Sequence, residues 1–419
     1  DGWAGSALLA TEGLTGSGYR ELVVGAFLED GGTVTILDAA GPGSSSPDDA
    51  IATITATADV RLGHALGSAE LNEDSNLDLV VGGYYQSSHN GAVFVFSGPL
   101  VGDLDENDAD LRIDGSDGMK LGYDLVMVDA NDSGVRDLFA SAPNAADGDG
   151  AVYLFTDLRS VEQPGSLSIS DAAATFTGEG SGKVSVVAAG DVDGDGYADM
   201  LAAGHENDLS EGRAWLVLGE LSGSWAADDA DLSWHGDDDG DALGSALTII
   251  DDLDGDERAD VVLGAPGVGS DEGAVYVFFG DSLASSSGQQ SLTRADLTLV
   301  GVESDALAGA SVSSAGDVDG DSIADLWVGS PGVDSGSTDA GAAYLLLSSS
   351  GHTGTVELAK ADLRLEGENT GDYLGATVIG TGDLDDDGLD DLAAGLVGGG
   401  STTLTGGAAI VLFSSALSF

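Results

Sequence analysis

Four nine-residue segments, 191–199, 252–260, 317–325 and 383–391, concentrate the chemistry of this chain. Each carries aspartate at positions 1, 3, 5 and 9. The sets are Asp191, Asp193, Asp195 and Asp199; Asp252, Asp254, Asp256 and Asp260; Asp317, Asp319, Asp321 and Asp325; and Asp383, Asp385, Asp387 and Asp391. Four carboxylates in so short a loop repel one another unless a cation lies among them. Hard oxygen donors at alternating positions suit the flexible multi-oxygen shell of Ca²⁺ better than the octahedral, water-retaining shell of Mg²⁺. The backbone carbonyl of position 7, from Tyr197, Arg258, Ile323 or Leu389, would add a further donor. A helix-flanked twelve-residue calcium loop is excluded, because its last ligand would fall on Ala202, Leu263, Val328 or Ala394 inside an apolar run.

Three worn copies precede these loops. Glu70, Asn72, Asp74 and Asp78 keep an oxygen at every ligand position, with Asn76 at position 7, and weak metal binding is expected there. Asp129, Asn131, Ser133 and Asp137 hold fewer charges. In the first copy Gly13, Thr15 and Ser17 replace the carboxylates, and no metal is expected. The expectation is Ca²⁺ in four strong sites and in up to six.

The loops must be positioned by a repeat, because their last acids recur at a regular interval. Glu21, Asp78, Asp137, Asp199, Asp260, Asp325 and Asp391 are 57, 59, 62, 61, 65 and 66 residues apart. Each unit reads as a strand opening on glycine (243–250), the acidic loop, a second strand (259–266), a third (273–280) and an alternating outer strand after Ala-Asp-Leu (295–301). The second and third are nearly continuous apolar runs, as strands covered on both faces should be. Seven four-stranded units without a helical period predict an all-β fold, a seven-bladed β-propeller of antiparallel blades in one domain. The blades span about 1–57, 58–115, 116–178, 179–236, 237–301, 302–367 and 368–419. The first strand is expected at 3–9, and the last blade takes its outer strand from 415–419 or from chain upstream of Asp1.

Composition narrows the function. The 419 residues include 74 acids and 12 bases, a formal charge of −62, which disfavours nucleic acid and anionic membrane partners. The absence of cysteine removes disulfides and thiolate metal sites, and no apolar run is long enough to span a membrane. The start at Asp1, without methionine, suggests a removed leader or an excised fragment. No serine-hydrolase elbow, zinc-protease helix or phosphate-binding loop is present, so the expectation is a non-enzyme.

The unit resembles the FG-GAP repeat, and seven copies with intact loops in the last four resemble the β-propeller of integrin α subunits. The name-giving motifs are eroded: Leu-Gly stands at 62–63, 121–122, 243–244 and 374–375, and Gly-Ala-Pro is intact at 264–266. Near matches lie at 25–27, 141–143 and 329–331. The acidity departs from the animal proteins and suggests a microbial, salt-adapted relative. The resemblance implies structural calcium on a lower face, and ligands on the upper face, where the second-to-third and fourth-to-first loops meet. Trp3, Arg61, Tyr84, Tyr85, Lys120, Tyr123, His205 and Tyr373 are the candidate ligand residues there. The expected role is an extracellular, secreted or cell-surface binding and adhesion module, monomeric, with a protein or glycan ligand. A lectin and a secreted hydrolase or lyase are the alternatives.

Overall fold

The acid that ends each loop opens a six-residue strand. Asp78–Gly83, Asp137–Ala142, Asp199–Gly204, Asp260–Ala265, Asp325–Ser330 and Asp391–Leu396 are buried along their whole length. Such strands have no solvent face and therefore no polar alternation. The computed structural model describes residues 4–28, 31–39, 45–72, 74–161, 164–179, 183–204, 210–398 and 407–417. It places these strands, with Arg20–Ala26 of the first blade, second from the axis in seven sheets, the blades of a propeller. In the fifth blade the order is Leu247–Ile250, Asp260–Ala265, Ala274–Phe278 and Leu297–Val300, each antiparallel to the next.

The core lies between blades. Along the third strand Ala92–Phe96, Val93 and Val95 pack toward the third blade with Leu138, Ala140 and Tyr153. Phe94 and Phe96 face the other way, toward Val23, Val34 and Ile36 of the first blade. Each large apolar side chain buried at such an interface contributes about 1.5–3 kcal/mol. Hydrogen bonds cross the interfaces too, as where Trp327 Nε1 donates to the Ala393 carbonyl of the next blade at 3.2 Å.

The sequence predicts four antiparallel strands per blade, and five of the seven sheets add a fifth strand in parallel. It comes from the following unit, between that unit's third and outer strands. Gly102–Leu104 pairs with Ala52–Thr55 of the first blade, and Gly354–Glu357 with Leu297–Val300 of the fifth. Four of the five open at a left-handed glycine, as at Gly288 (φ 67°) and Gly354 (φ 67°), a conformation that favours glycine because it has no Cβ. The Gly288 N–H donates to the Asp231 carbonyl at 2.7 Å, which starts the pairing. Backbone hydrogen bonds thus latch each of these blades to the next.

The seventh sheet has three strands among the described residues, Leu374–Gly382, Asp391–Leu396 and Ala408–Leu412. The outer strand expected at 415–419 is not seen there. Ser414–Ala416 forms a 3-10 turn, because the Ser414 N–H and hydroxyl are committed to the buried Asp391 carboxylate at 2.7 and 3.1 Å. Residues 418 and 419 lie outside the described residues. The first strand is Ala7–Glu12, later than the expected start at Trp3, which also lies outside them. The ring closes non-covalently. Ala4 pairs with Gly407 in the same isolated parallel bridge that joins Gly91 to Leu121 and Gly273 to Ala308 at other blade junctions. Thr377 Oγ1 donates to the Ser6 carbonyl across this closure at 3.0 Å. Replacing Thr377 by valine is expected to lower unfolding free energy by about 1 kcal/mol in urea melts. A neutral result would show that this bond contributes nothing to closure.

Candidate metal centres and an upper-face aromatic cluster

The nine-residue loops share one backbone. Positions 4 and 6 are left-handed at Gly194 and Gly196, Gly255 and Glu257, Gly320 and Ser322, and Asp386 and Gly388. The loops without the full acid set keep this conformation at Gly16 and Gly18, and at Asp132 and Gly134. A non-glycine residue such as Glu257 (φ 67°) holds it at a cost of about 1–2 kcal/mol. The first carboxylate holds the turn. Asp191 Oδ1 accepts the N–H groups of Gly194 (2.7 Å) and Asp195 (3.1 Å), and Oδ2 accepts that of Gly196 (3.0 Å). Asp252 and Asp317 repeat the pattern.

The ninth position acts differently. Its acid is fully buried in all seven blades. Asp199 Oδ2 accepts the N–H of loop position 2, Val192, at 2.8 Å, and Oδ1 accepts Gly219 N–H, two residues past the third strand, at 2.6 Å. Asp260 does the same with Leu253 (2.7 Å) and Gly280 (2.8 Å), Asp325 with Val318 (3.0 Å) and Ser348 (2.9 Å), and Asp391 with Leu384 (2.8 Å) and Ser414 (2.7 Å). The worn loops keep the clip through Asp78 with Leu71 and Gly98, and Asp137 with Ala130 and Asp157. In the first blade the Glu21 Oε1 atom takes the Thr15 N–H and hydroxyl.

In the four strong loops this carboxylate also meets those of positions 1 and 3. Oxygens of Asp191, Asp193 and Asp199 lie within 4.8 Å of one another, as do those of Asp252, Asp254 and Asp260, Asp317, Asp319 and Asp325, and Asp383, Asp385 and Asp391. Position 5 does not join these groups. Asp195, Asp256, Asp321 and Asp387 instead accept the N–H of position 7, from Tyr197, Arg258, Ile323 and Leu389, at 2.8–2.9 Å. Burial pushes the Asp199 and Asp260 carboxyls up to about 7 and that of Asp325 up to about 6, with neighbouring acids adding to the effect. Asp391 is raised by the same cause, and Asp193 and Asp254 are raised by burial and then by adjacent carboxylates. A divalent cation would relieve both the lost hydration and the crowded charge, so the donor set fits Ca²⁺.

The worn loops form no such triad among the described residues. In the second blade Glu70 is ion-paired to Arg159 of the third blade, whose Nη2 also reaches the Glu70 carbonyl at 3.3 Å. A guanidinium already supplies positive charge to this loop. Asn72 donates to Asp78 Oδ1 at 3.3 Å, and Asp74 accepts the Asn76 N–H at 2.8 Å. In the third blade Asp129 and Asn131 both accept the Ser133 N–H, leaving Asp129 and Asp137 as the only acids at ligand positions.

On the opposite face, five of the candidate ligand residues come together. Tyr84 lies edge-on to Tyr85 (6.0 Å between centroids) and to Tyr123 (5.3 Å). Arg61 sits over Tyr85 at 5.4 Å and Lys120 over Tyr84 at 5.9 Å. His64, which sequence reasoning left out of the site, is the hub: its ring is 4.6 Å from Tyr84, 4.4 Å from Tyr123 and 4.7 Å from Phe27. Burial pushes His64 down to about 4, so the ring is neutral at pH 7, with Nδ1–H donating to the Tyr123 carbonyl at 2.7 Å. Tyr373 stands apart, exposed, its hydroxyl donating to Asp339 at 3.4 Å. Trp3 and His205 lie outside the described residues. Trp234 is fully buried in the outer strand Leu232–His235.

Residues 174–217, 243–278 and 308–346 match the FG-GAP repeat, and each segment contains one of the acidic loops. These three segments are FG-GAP repeats. The chain is 35% identical to mouse integrin alpha-M over 104 residues, 24% of this chain and 9% of the relative. It is 32% identical to Drosophila melanogaster integrin alpha-PS5 over 201 residues, 45% of this chain and 18% of the relative. It is 31% identical to bovine phosphatidylinositol-glycan-specific phospholipase D over 205 residues, 45% of this chain and 24% of the relative. The match thus spans less than a quarter of each of these proteins.

Two outcomes separate the roles of positions 3 and 9. Asp260→Ala strands two buried N–H groups and should cost about 3 kcal/mol with or without calcium, whereas Asp254→Ala should cost stability only when calcium is present. Equal losses for both variants in chelator would refute the clip. With metal removed, folded Asp260 keeps its proton to about pH 7, while an unfolded aspartate releases it near 3.8. The folded state then binds more protons than the unfolded one, so stability falls as pH rises from about 4 to 7. The melting temperature in chelator should therefore drop across that range, less steeply in Asp260→Asn. An identical slope in the variant would assign the effect to general surface acidity.

Proposed function

We propose that this FG-GAP propeller works outside the cytoplasm as a binding and adhesion module, with Ca²⁺ as a structural ion in the loops of blades four to seven. The observation that carries the calcium assignment is the convergence of three carboxylates at the same register of four loops. Positions 1, 3 and 9 and the position 7 carbonyl would hold the ion, which would tie the inner strand to the second. Sites of about 10⁻⁴–10⁻³ M suffice for an extracellular module. Similarity to integrin α chains supports the adhesion role. Among the described residues no helix is long and apolar enough to cross a membrane. The upper face, free of these loops, is where a protein partner docks.

Native mass spectrometry should count four calcium ions per chain, and Asp193→Ala and Asp319→Ala should each remove one. Chelation should lower the melting temperature; unchanged melting and an unchanged metal count would refute structural calcium. A photo-crosslinking residue at Tyr373 should capture a protein partner in calcium while one at Asp386, in a lower loop, should not. The reverse pattern would overturn upper-face docking.

A further inference from the structure

The residue before each inner-strand Leu-Gly pair occupies one ring position on the upper face. Arg61 (φ 58°), Lys120 (φ 63°), Ala242 (φ 53°), Leu307 (φ 57°) and Tyr373 (φ 50°) hold it in a left-handed conformation. The junction bridge fixes that conformation, as where Leu121, next to Lys120, pairs with Gly91. In the fourth blade the place before Val184 and Ser185 is taken by Lys183. Three of only 12 bases therefore stand at equivalent positions of three consecutive blades.

Their partners are unusual for so acidic a chain. Arg20, Arg61, Arg112, Arg159, Arg213 and Arg364 each pair with a carboxylate. Lys120 and Lys183 make no such pair among the described residues. Lys120 rests on the face of Tyr84, and Lys183 Nζ donates to Asn144 Oδ1 at 2.6 Å. Burial disfavours the charge on Lys120, and Lys183 adds to that effect. Two lysines with no carboxylate partner among the described residues, in a chain with 74 acids, suit a charge that comes from elsewhere. The rings beneath them are already covered by cations or turned edge-on to each other, so Tyr84 and Tyr85 offer no free flat face to a sugar. A chain bearing carboxylates on flexible side chains needs no such face.

We propose that the arc of Arg61, Lys120 and Lys183 is the docking site for an acidic peptide segment of a partner protein, whose aspartate or glutamate carboxylates pair with the two lysines. The proposal rests on the reading of the upper face as a protein-binding surface. The bulk of the chain repels such a segment, so the contact selects carboxylates placed directly on the arc, and salt that screens distant acids does not weaken it at first.

The test uses the calcium-loaded full chain and fluorescein-labelled octaglutamate, followed by anisotropy, with octalysine and tetragalacturonate as comparison probes. Octaglutamate should bind the native chain and bind Lys120→Gln/Lys183→Gln about tenfold more weakly, the worth of two partly exposed charge pairs. The variant's melting temperature and metal count should be unchanged. Absent octaglutamate binding, or equal binding by the variant, overturns the proposal. Tighter binding of tetragalacturonate, lost in the same variant, assigns the arc to an acidic glycan and also overturns it. Partner capture at Tyr373 with no octaglutamate binding would leave the upper-face reading standing and remove this inference alone.

Discussion

A carboxylate buried at the ninth loop position links the parts of blades two to seven. It opens the second strand, fixes the loop through the N–H of position 2, and holds the chain two residues beyond the third strand, as Asp199 does with Val192 and Gly219. One side chain thus joins three segments that are otherwise connected only by strand pairing. Backbone donors satisfy it, yet burial still disfavours its charge. In blades four to seven two more carboxylates are brought beside it, and the arrangement is one that a cation completes.

The first three blades show what happens without the full set. Glu21 uses a threonine N–H and hydroxyl, Glu70 takes an arginine from the neighbouring blade, and Asp129 turns its oxygens to the loop backbone. The left-handed turn is kept in the first and third blades, and the clip at position nine in the second and third. A cation would thus be an addition to a loop that is already formed. The same division applies to charge: sixteen of the 74 acids stand at positions 1, 3, 5 and 9 of the four strong loops, and the remainder lie elsewhere in the chain or at other loop positions.

Much of this was legible in the sequence, because the loops are long, charged and periodic. Their alignment gives the seven blades, and the apolar runs after Asp199, Asp260 and Asp325 give the buried strands. The latch strands were not legible: Gly102–Leu104 and Gly288–Gln290 are three residues long, too short for any alternation, and pair in parallel with a different unit. Nor was the second use of Ala-Asp-Leu, in which Asp231 accepts the Leu218 N–H and Asp296 that of Phe279. The aromatic cluster was visible only as scattered residues, since Phe27, His64, Tyr84 and Tyr123 come from three consecutive blades and meet only when those blades pack side by side. The 415–419 tail misled because the sequence carries no sign that Ser414 is tied to Asp391.

The central claim is that acid triads, rather than acidity in general, define the metal sites. Anomalous diffraction from crystals grown in calcium tests it most directly. The account predicts four peaks, each within about 2.3–2.6 Å of carboxylates from positions 1, 3 and 9 of blades four to seven, with the loops of blades one to three empty. Peaks in the Glu70 or Asp129 loops, or no peak beside Asp199, Asp260, Asp325 and Asp391, would contradict it.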